Sequence, residues 1–369
     1  MIKIYEPMIT SKTKDYAKQA IDSGWISSQG EFISRASNKL SEIMGAKVIL
    51  VSNGTSATHC VSRALNLKKP NVKKLIVPNN VYVAAWNCFL LDSKFDEMIS
   101  VDASINTWNY DIDKLEKVLE NEDHEETALL CVHNVGNIIN IPRLLRKFPK
   151  LTIVEDNCEG LFGKYEDFYS GTQSLCSSVS FFANKTITSG EGGALITKDE
   201  EVYEYISSFI NQGNTSKKFV HNMVAQNYRM TNVQAAMLLG QLEDLEIILS
   251  KKQAIFDKYR EAFSNMENVS FQVQEDGTLH SNWMMGLCIN SDLGYKEIKT
   301  DMLNSGIETR PMFYCFDKHR HLIGKIKQNS NKAASFLSKK CLMIPSHPML
   351  KDEEVNKIID NIDKIQKKT

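Results

Sequence analysis

The sequence predicts an α/β protein whose larger part is a mainly parallel sheet with helices on both faces. From about residue 47 onward, short runs rich in β-branched residues alternate with segments of helical periodicity, as in doubly wound folds. Several runs are apolar throughout rather than alternating, which is typical of central strands covered on both faces. The runs are KVILVSN (47–53), KLIVPNN (74–80), TALLCVHNV (127–135), LTIVEDN (151–157), SSVSFFAN (177–184) and GGALIT (192–197).

Helical segments connect these runs and then join two lobes. Helices are expected over residues 56–67, after the first run, and 113–121, before the third. The segment around 235–262 keeps helical periodicity with no Pro and a single Gly near its start, which predicts one long connecting helix. The rest alternates strand-like SNWMMGLCI with helical GYKEIKTDMLNSG. The sequence therefore predicts a large domain over 1–245 and a smaller α+β C-terminal domain over 246–369.

Composition and charge exclude several classes of protein. The chain of 369 residues is too long for one small core, and its net charge of −1 gives no bulk attraction to nucleic acid or a membrane surface. The N-terminus does not resemble a signal peptide, and no apolar run approaches the ~18–20 residues that span a bilayer. The eight cysteines form no C-x-x-C pair and lie in apolar stretches, which predicts free thiols and a cytoplasmic location. No metal is expected.

The segment 151–193 carries the strongest signal for chemistry. One buried strand ends at Asp156, and a second delivers Ser180 and then Lys185, before the glycine-rich turn SGEGG (189–193). An acid and a lysine at such strand ends are what a pyridoxal-phosphate (PLP) enzyme needs, because the lysine bonds to the cofactor aldehyde and the carboxylate pairs with the pyridine nitrogen. A lone strand-end Asp is more often a helix cap and a lone Lys is usually solvated, so the prediction depends on their conjunction.

A polar turn upstream predicts a phosphate site. In VSNGTS (51–56) a strand ends in a turn that opens a helix, and the exposed N–H groups and dipole of that helix favour an anion. The Ser180 hydroxyl is a second candidate donor; alternatively it is an inward-facing strand serine bonded to backbone. Ser and Thr caps after strands are common, so the turn alone is a weak signal.

Motifs along almost the whole chain are similar to those of one enzyme family. The most specific strings are SFFANKTITSGEGG (180–193) and NYRMTN (227–232). The other strings are GWISSQG (24–30), NGT (53–55), VP (77–78) with Tyr82, VED (154–156) and ETRP (308–311). On these motifs the chain resembles the DegT/DnrJ/EryC1/StrS family of sugar aminotransferases, within the aspartate aminotransferase-like PLP enzymes of fold type I. Within that family it is most similar to enzymes that make perosamine or viosamine by aminating C4 of a nucleotide-linked 4-keto-6-deoxyhexose.

The resemblance implies roles for four residues around the cofactor ring. Lys185 would hold the cofactor covalently and later move the proton between the amino carbon and the cofactor. Asp156 would pair with the pyridine nitrogen, and Glu159, at a position that is often Gln in the family, would touch the ring hydroxyl. Tyr82 would stack on the pyridine face; core packing of an aromatic residue after a strand is the alternative.

The resemblance also implies the phosphate and substrate contacts. The residues implied at the phosphate are Gly54, Thr55, Ser180 and Asn227. Since Asn227 would come from a second subunit, a homodimer with active sites at its interface is implied. Trp25, Ser27 and Arg310 match positions on the sugar-nucleotide side; an Arg suits a diphosphate, although a surface ion pair is its commoner use. His133, at a strand end, either contacts substrate or is a satisfied core histidine.

The predicted reaction is PLP-dependent transfer of an amino group from L-glutamate to C4 of a nucleotide-linked 4-keto-6-deoxyhexose, giving a 4-amino-4,6-dideoxy sugar nucleotide. Two departures from the family pattern leave the sugar and nucleotide open: Asp317 replaces a frequent histidine, and the segment 214–224 differs. A 3-keto-sugar aminotransferase and a non-catalytic sugar-nucleotide-binding homologue are the alternatives. The dehydratase branch of the family has histidine in place of Lys185, which argues against that activity.

Overall fold

The computed structural model describes residues 1–92, 95–328 and 330–368. The strands are β1 (Lys47–Val51), β2 (Lys74–Pro78), β3 (Glu97–Val101), β4 (Thr127–Val132), β5 (Thr152–Asp156), β6 (Lys164–Tyr165), β7 (Phe168–Tyr169), β8 (Ser177–Ser180), β9 (Gly193–Thr197), β10 (Val269–Phe271), β11 (Thr278–Leu279), β12 (Met285–Ile289), β13 (Arg310–Pro311), β14 (Ile326–Gln328) and β15 (Cys341–Ile344). The helices are α1 (Ser11–Asp22), α2 (Glu31–Met44), α3 (Gly54–Lys68), α4 (Ala84–Leu91), α5 (Ile112–Leu119), α6 (Ile141–Lys147), α7 (Glu200–Phe209), α8 (Asn232–Glu243), α9 (Leu245–Ser264), α10 (Tyr295–Asn304), α11 (Lys332–Lys340) and α12 (Asp352–Gln366).

The large sheet has the strand order β1-β9-β8-β5-β4-β2-β3-β14. Within it β9 runs antiparallel to both neighbours, so the other strands share one direction and their carboxyl ends meet at one edge. Successive side chains of a strand point to opposite faces. Along β2, Leu75 and Val77 pack with α3, whereas Ile76 packs on the other face with α5 and α6. This confirms the predicted mainly parallel α/β fold.

Strand β3 is an element that the sequence analysis did not predict. Its segment EMISV is short and contains two polar residues, Glu97 and Ser100, so it lacks the continuous apolar pattern of the other strands. The segment becomes a strand because it pairs on both sides, with β2 and β14, which run parallel to it.

The single helix predicted around residues 235–262 is wrong. Helix α8 ends at Glu243 and α9 begins at Leu245, and the residue between them, Asp244, has φ −107° and ψ 19°. Helix α8 packs with α1 and α2 against the large sheet, whereas apolar residues of α9 build the core of the small lobe. No Gly or Pro marks the bend, so packing against two different cores sets it.

The small lobe has an antiparallel sheet of order β10-β12-β15-β13 with α9, α10 and α12 around its core. Strand β14, which follows this lobe's β13 in sequence, crosses back and extends the large sheet beside β3. A boundary at residue 245 therefore leaves one strand of the large sheet in the C-terminal part. The division into 1–245 and 246–369 stays a prediction.

Residues 1–92, 95–328 and 330–368 contain neither a membrane-spanning helix nor a metal-binding cluster. No helix there combines the length and apolar character that crossing a bilayer requires. The same residues contain no cluster of three or more His, Cys, Asp or Glu suited to a metal ion. All the cysteines are free, and each is buried except Cys158, which is half-buried. The cytoplasmic location stays a prediction.

Candidate active site

A tight contact between the start of α3 and the end of β8 forms a cradle. A Cβ added to Gly54 would lie 2.7 Å from the Ser180 Cβ and 2.8 Å from its Oγ, distances that no side chain at position 54 could keep. The glycine thus lets the start of α3 lie directly against the end of β8. Two of the residues predicted at a phosphate, far apart in sequence, are therefore brought together.

The first turn of α3 provides donors for an anion in this cradle. The leading N–H groups of a helix have no intrahelical acceptor. Asn53 caps the helix by accepting the Ser56 N–H at 2.8 Å, which leaves the N–H groups of Gly54 and Thr55 at the open end. Together with the helix dipole and the Ser180 hydroxyl, these groups suit a phosphate.

Asp156 ends β5 at the same edge of the sheet and is buried. One of its oxygens accepts the Cys158 N–H at 3.1 Å. Burial, followed by the charge of Asp156, raises the pKa of the Cys158 thiol, while the nearby Lys185 opposes the shift. Cys158 is therefore an unreactive neighbour of both groups, and the Asp156 carboxylate keeps capacity for a cationic partner.

Lys185 lies in an enclosed position, with only 13% of its side chain exposed. Its ammonium is 3.8 Å from Oε1 of Glu159 and 4.1 Å from the ring centroid of Trp283. The Trp283 indole N–H donates to the Asn184 carbonyl at 2.8 Å, and the Tyr5 hydroxyl donates to the Lys185 carbonyl. Main chain and side chain of Lys185 are thus both held in place.

Glu159 is a buried carboxyl beside this lysine. Its Oε2 accepts the Val135 N–H at 2.8 Å, and Val135 has φ 58°, a left-handed conformation that is unusual for a β-branched residue. Burial raises the pKa of Glu159 to about 7, against the opposing effects of Lys185 and the Val135 N–H. The carboxyl can therefore donate or accept a proton near neutral pH.

Tyr82 follows β2 and is 60% exposed, so it does not pack in the core. Its ring meets Phe313 edge to face, with centroids 6.3 Å apart. This position leaves a ring face available to a ligand. Stacking on the pyridine ring stays a prediction.

Asn227 lies on an exposed segment before α8. Its side-chain oxygen accepts the Arg229 Nε–H at 3.0 Å, and its backbone bridges to Asn211. The nearby segment 214–224, which departs from the family pattern, folds back through a bridge between Asn214 and His221. The role of Asn227 at a second subunit's phosphate stays a prediction.

Trp25 and Ser27 lie on an exposed loop whose backbone is anchored. The Asn232 side chain donates to the Trp25 carbonyl at 2.7 Å, and the Asn232 backbone N–H donates to the Ser27 carbonyl at 2.6 Å. Gly30 closes the loop at φ 145°, where a Cβ would clash with Asn232. The main chain is fixed while the Trp25 side chain stays 57% exposed.

Arg310 begins β13 opposite Met343 and is half-buried. Within the described part of the chain its guanidinium forms no ion pair, so the surface ion-pair alternative is not seen. Asp317, which replaces the family's frequent histidine, accepts the Asn331 side-chain N–H at 2.8 Å through one oxygen, and its other oxygen lies 3.9 Å from the Lys318 ammonium. Arg310 stays a candidate for substrate recognition.

His133 is fully buried, and both of its ring nitrogens are used inside the protein. Nδ1 accepts the Ile139 N–H at 3.1 Å, so Nε2 carries the proton and donates to Glu155 at 2.7 Å. This geometry favours the core-histidine alternative over the predicted contact with substrate.

Two residues at this site were not identified from the sequence. Trp283 lies just before β12 and was noted only as part of a strand-like run, and Tyr5 lies near the N-terminus. Neither stands in a local motif, because their relation to Lys185 arises where the two lobes meet. A pairing of distant positions across relatives is the signal that could have found them.

Comparison with known proteins identifies the family of this chain. The family model of the DegT/DnrJ/EryC1/StrS aminotransferases matches residues 7–363. A GDP-perosamine synthase of Escherichia coli O157:H7 is 32% identical over 365 residues, which cover 98% of this chain and 97% of that protein. A GDP-perosamine synthase of Vibrio cholerae is 31% identical over 373 residues, which cover 98% of each chain.

Solved structures show the same fold. The Helicobacter pylori aminotransferase PseC, involved in the biosynthesis of pseudoaminic acid, superimposes with a TM-score of 0.89 and covers 99% of this chain and 98% of its own. An E. coli GDP-4-keto-6-deoxy-D-mannose-3-dehydratase with bound hydrated PLP gives a TM-score of 0.88, covering 98% of this chain and 100% of its own. Each is 21% identical to this chain, so these likenesses establish the fold alone.

Proposed function

Because the chain belongs to the DegT/DnrJ/EryC1/StrS aminotransferase family, we propose that it is a PLP-dependent transaminase acting on a nucleotide-linked sugar. It would transfer an amino group from L-glutamate to C4 of a 4-keto-6-deoxyhexose, giving a 4-amino-4,6-dideoxy sugar nucleotide of the perosamine or viosamine type. The observation that carries the proposal is the convergence of Lys185, Asp156 and the cradle between Gly54 and Ser180 at one edge of the large sheet.

The described residues fit PLP. The cradle between Gly54 and Ser180 excludes a side chain but offers N–H and hydroxyl donors to a phosphate. Asp156 offers a buried carboxylate to a pyridinium nitrogen, and Lys185 offers an enclosed amine to an aldehyde. When bound, PLP supplies the carbonyl that accepts the amino group and a ring that withdraws electrons from the reacting carbon.

Residues of the chain supply positioning and proton transfer. The Nζ of Lys185 holds and moves the proton, since it is enclosed but not consumed by a close ion pair. Glu159 can donate or accept a hydrogen bond at Oε1, because its pKa lies near neutrality. Trp283 covers Lys185 and limits access of water.

Lys185 and the residues predicted to contact the sugar nucleotide distinguish among the related activities. A lysine at this position supports transamination over the dehydratase activity of the related branch. The intact set of Lys185, Asp156 and Ser180 argues against a non-catalytic homologue. Two relatives named GDP-perosamine synthases favour C4 over C3 amination. Arg310, whose guanidinium has no ion pair within the described residues, supports recognition of a diphosphate.

We also infer a homodimer with active sites at its interface. Asn227 is exposed on its own subunit, and the loop with Trp25 presents an uncovered aromatic side chain. Both observations suit a site that a second copy completes.

The proposal is tested by isotope transfer. The protein is incubated with PLP, nitrogen-15-labelled L-glutamate and GDP-, dTDP- or UDP-linked 4-keto-6-deoxyhexoses, and the sugar nucleotides are analysed by mass spectrometry and NMR. We expect label at C4 of one sugar, loss of transfer in Lys185→Ala, and unchanged transfer in Lys150→Ala, at an exposed site. Label at C3 when the corresponding 3-keto sugar nucleotides are supplied instead, with none from the 4-keto sugars, would support the 3-keto alternative. No labelled sugar, or normal transfer by Lys185→Ala, would refute the proposal.

A further inference from the structure

A second lysine near the site is buried without a counter-ion. Lys252 lies on α9 with 1% of its surface exposed, and within the described residues no carboxylate forms an ion pair with it. Its Nζ donates to two main-chain carbonyls, those of Trp283 at 3.1 Å and Ser346 at 3.3 Å. A buried ammonium with only neutral partners costs free energy, so its presence here requires an explanation.

The first contact of Lys252 leads to Lys185 through Trp283. The carbonyl of Trp283 accepts from Lys252, and the indole of the same residue lies over the Lys185 ammonium, 4.1 Å from ring centroid to Nζ. The indole N–H also donates to the Asn184 carbonyl. One tryptophan thus joins the buried lysine of the small lobe to the lysine of the site.

Lys252 is also linked to Lys185 through the ring of Tyr5. The Lys252 Nζ lies 5.5 Å from the Tyr5 ring centroid, and the Tyr5 hydroxyl donates to the Lys185 carbonyl. Main chain and side chain of Lys185 are therefore each supported by a residue that Lys252 contacts. The two routes are independent of each other.

Among the described residues, no titratable group near Lys252 is a carboxylate that pairs with it. The charged or titratable groups around it and its neighbouring histidines are Tyr5, Glu6, Arg260, His280, His347 and Glu354. Burial lowers the pKa of Lys252 to about 7, and burial first, then Arg260, lowers that of His280 to about 3. Glu6 and Glu354 act on His347 rather than on Lys252. In the part of the chain that the structure describes, no carboxylate lies within ion-pair distance of this amine.

We propose that Lys252 is a positioning residue for Lys185, fixing Trp283 and Tyr5 from the small lobe so that the Lys185 amine is held and covered. This role rests on the proposed function, because only that function makes Lys185 the catalytic amine. The contacts of Lys252 with Trp283 and Tyr5 do not depend on it. The free-energy cost of burying Lys252 is then offset because it fixes Trp283 and Tyr5 where the two lobes meet.

The test compares Lys252→Met, which keeps length but removes the donors, with Lys252→Arg, which keeps them. Lys251→Met is the matched control, since Lys251 is the exposed neighbour on the same helix. The first readout is acetylation of Lys185 in cofactor-free protein, measured by brief labelling with acetic anhydride and peptide mass spectrometry. The second is the separate effect on kcat and KM of the holoenzyme, and the third is Tm.

For Lys252→Met we expect faster acetylation of Lys185 and a kcat lower by about 10- to 100-fold with little change in KM, as for a misplaced catalytic group. Its Tm should be equal to or above that of the wild type, because an unpaired buried charge is removed. Lys252→Arg should recover most of the kcat, and Lys251→Met should match the wild type in every readout. Trp283→Phe should reproduce the faster acetylation, with no further increase in the double variant.

The proposal is overturned if folded Lys252→Met keeps the wild-type acetylation rate and kcat. Should that variant not fold, Lys252→Leu, which also lacks a donor, takes its place under the same criterion. A wild-type protein that binds no PLP would refute the proposed function, whereas the acetylation comparison in cofactor-free protein would still decide the role of Lys252.

Discussion

At the scale of single residues, Glu159 has a carboxyl whose charge changes near neutral pH beside Lys185. Burial raises its pKa to about 7, well above the ordinary value for a glutamate side chain. A group with a raised folded-state pKa stabilises the fold while protonated, and this contribution is lost as pH rises through the folded-state value. The free energy of unfolding of the cofactor-free protein should therefore fall as the pH rises from about 4.5 to 7.

Glu159→Gln tests this prediction, because glutamine keeps an acceptor for the Val135 N–H but cannot ionise. The difference in Tm between the variant and the wild type should grow in favour of the variant from pH 5 to pH 8. The corresponding free energy is at most about 3 kcal/mol. Glu246→Gln, at an exposed site, is the control and should show no such trend. A pH-independent difference would contradict the assigned pKa.

Sequence predicted some residues of the site and not others for a physical reason. Asp156 and Lys185 lie at ends of strands in one parallel sheet, so strand direction alone places them at the same edge. Trp283 and Tyr5 reach Lys185 only through packing between lobes, which no local pattern records. His133 also follows a strand, but its ring turns inward to Glu155.

At the scale of elements, the contact between α3 and β8 determines the phosphate cradle. Gly54→Ala should force Ser180 away, since the added Cβ would lie 2.7 Å from the Ser180 Cβ. Overpacking of this kind costs about 1–3 kcal/mol. We expect a lower Tm and a PLP affinity reduced by at least about tenfold, measured by fluorescence titration.

A double variant separates the two effects. With Ser180→Gly added, the Cβ at position 54 would be left with the backbone Cα of residue 180 at 3.4 Å, an ordinary contact. Tm should then recover while PLP affinity stays low, because the hydroxyl is lost. Wild-type affinity in either variant would contradict the cradle as the phosphate site.

Elements were predicted well where packing follows the local pattern and poorly where it does not. The continuous apolar runs became β2, β4 and β5 because both faces of each are covered. The bend at Asp244 was missed, since the two cores that α8 and α9 pack against are distant in sequence. Strand β3 was missed because its pairing partners, rather than its composition, define it.

At the scale of the whole molecule, the inferred dimer predicts complementation between inactive variants. Lys185→Ala removes the amine of one site, and Asn227→Asp puts a repelling charge at the phosphate of the partner's site. Mixed subunits would then contain one intact site in each heterodimer. Equal amounts that exchange freely should recover about a quarter of wild-type activity.

Size-exclusion chromatography with light scattering supplies the control, because each variant alone should be dimeric and inactive. A mixture of exchanged subunits that stays inactive would show that Asn227 acts within its own subunit or not at all.

The overall two-lobe plan was visible in the change of pattern near residue 245. The return of β14 to the large sheet was not, because a short crossover strand leaves no compositional boundary.

The central claim is that Lys185 and Asp156 hold PLP for transamination, and an absorbance titration tests it most directly. The purified protein is scanned with PLP, then with L-glutamate, then with each candidate 4-keto-6-deoxyhexose nucleotide. We expect a visible band of lysine-bound PLP that bleaches with glutamate and returns with one sugar nucleotide. Absence of the band, or a band that glutamate leaves unchanged, would contradict it.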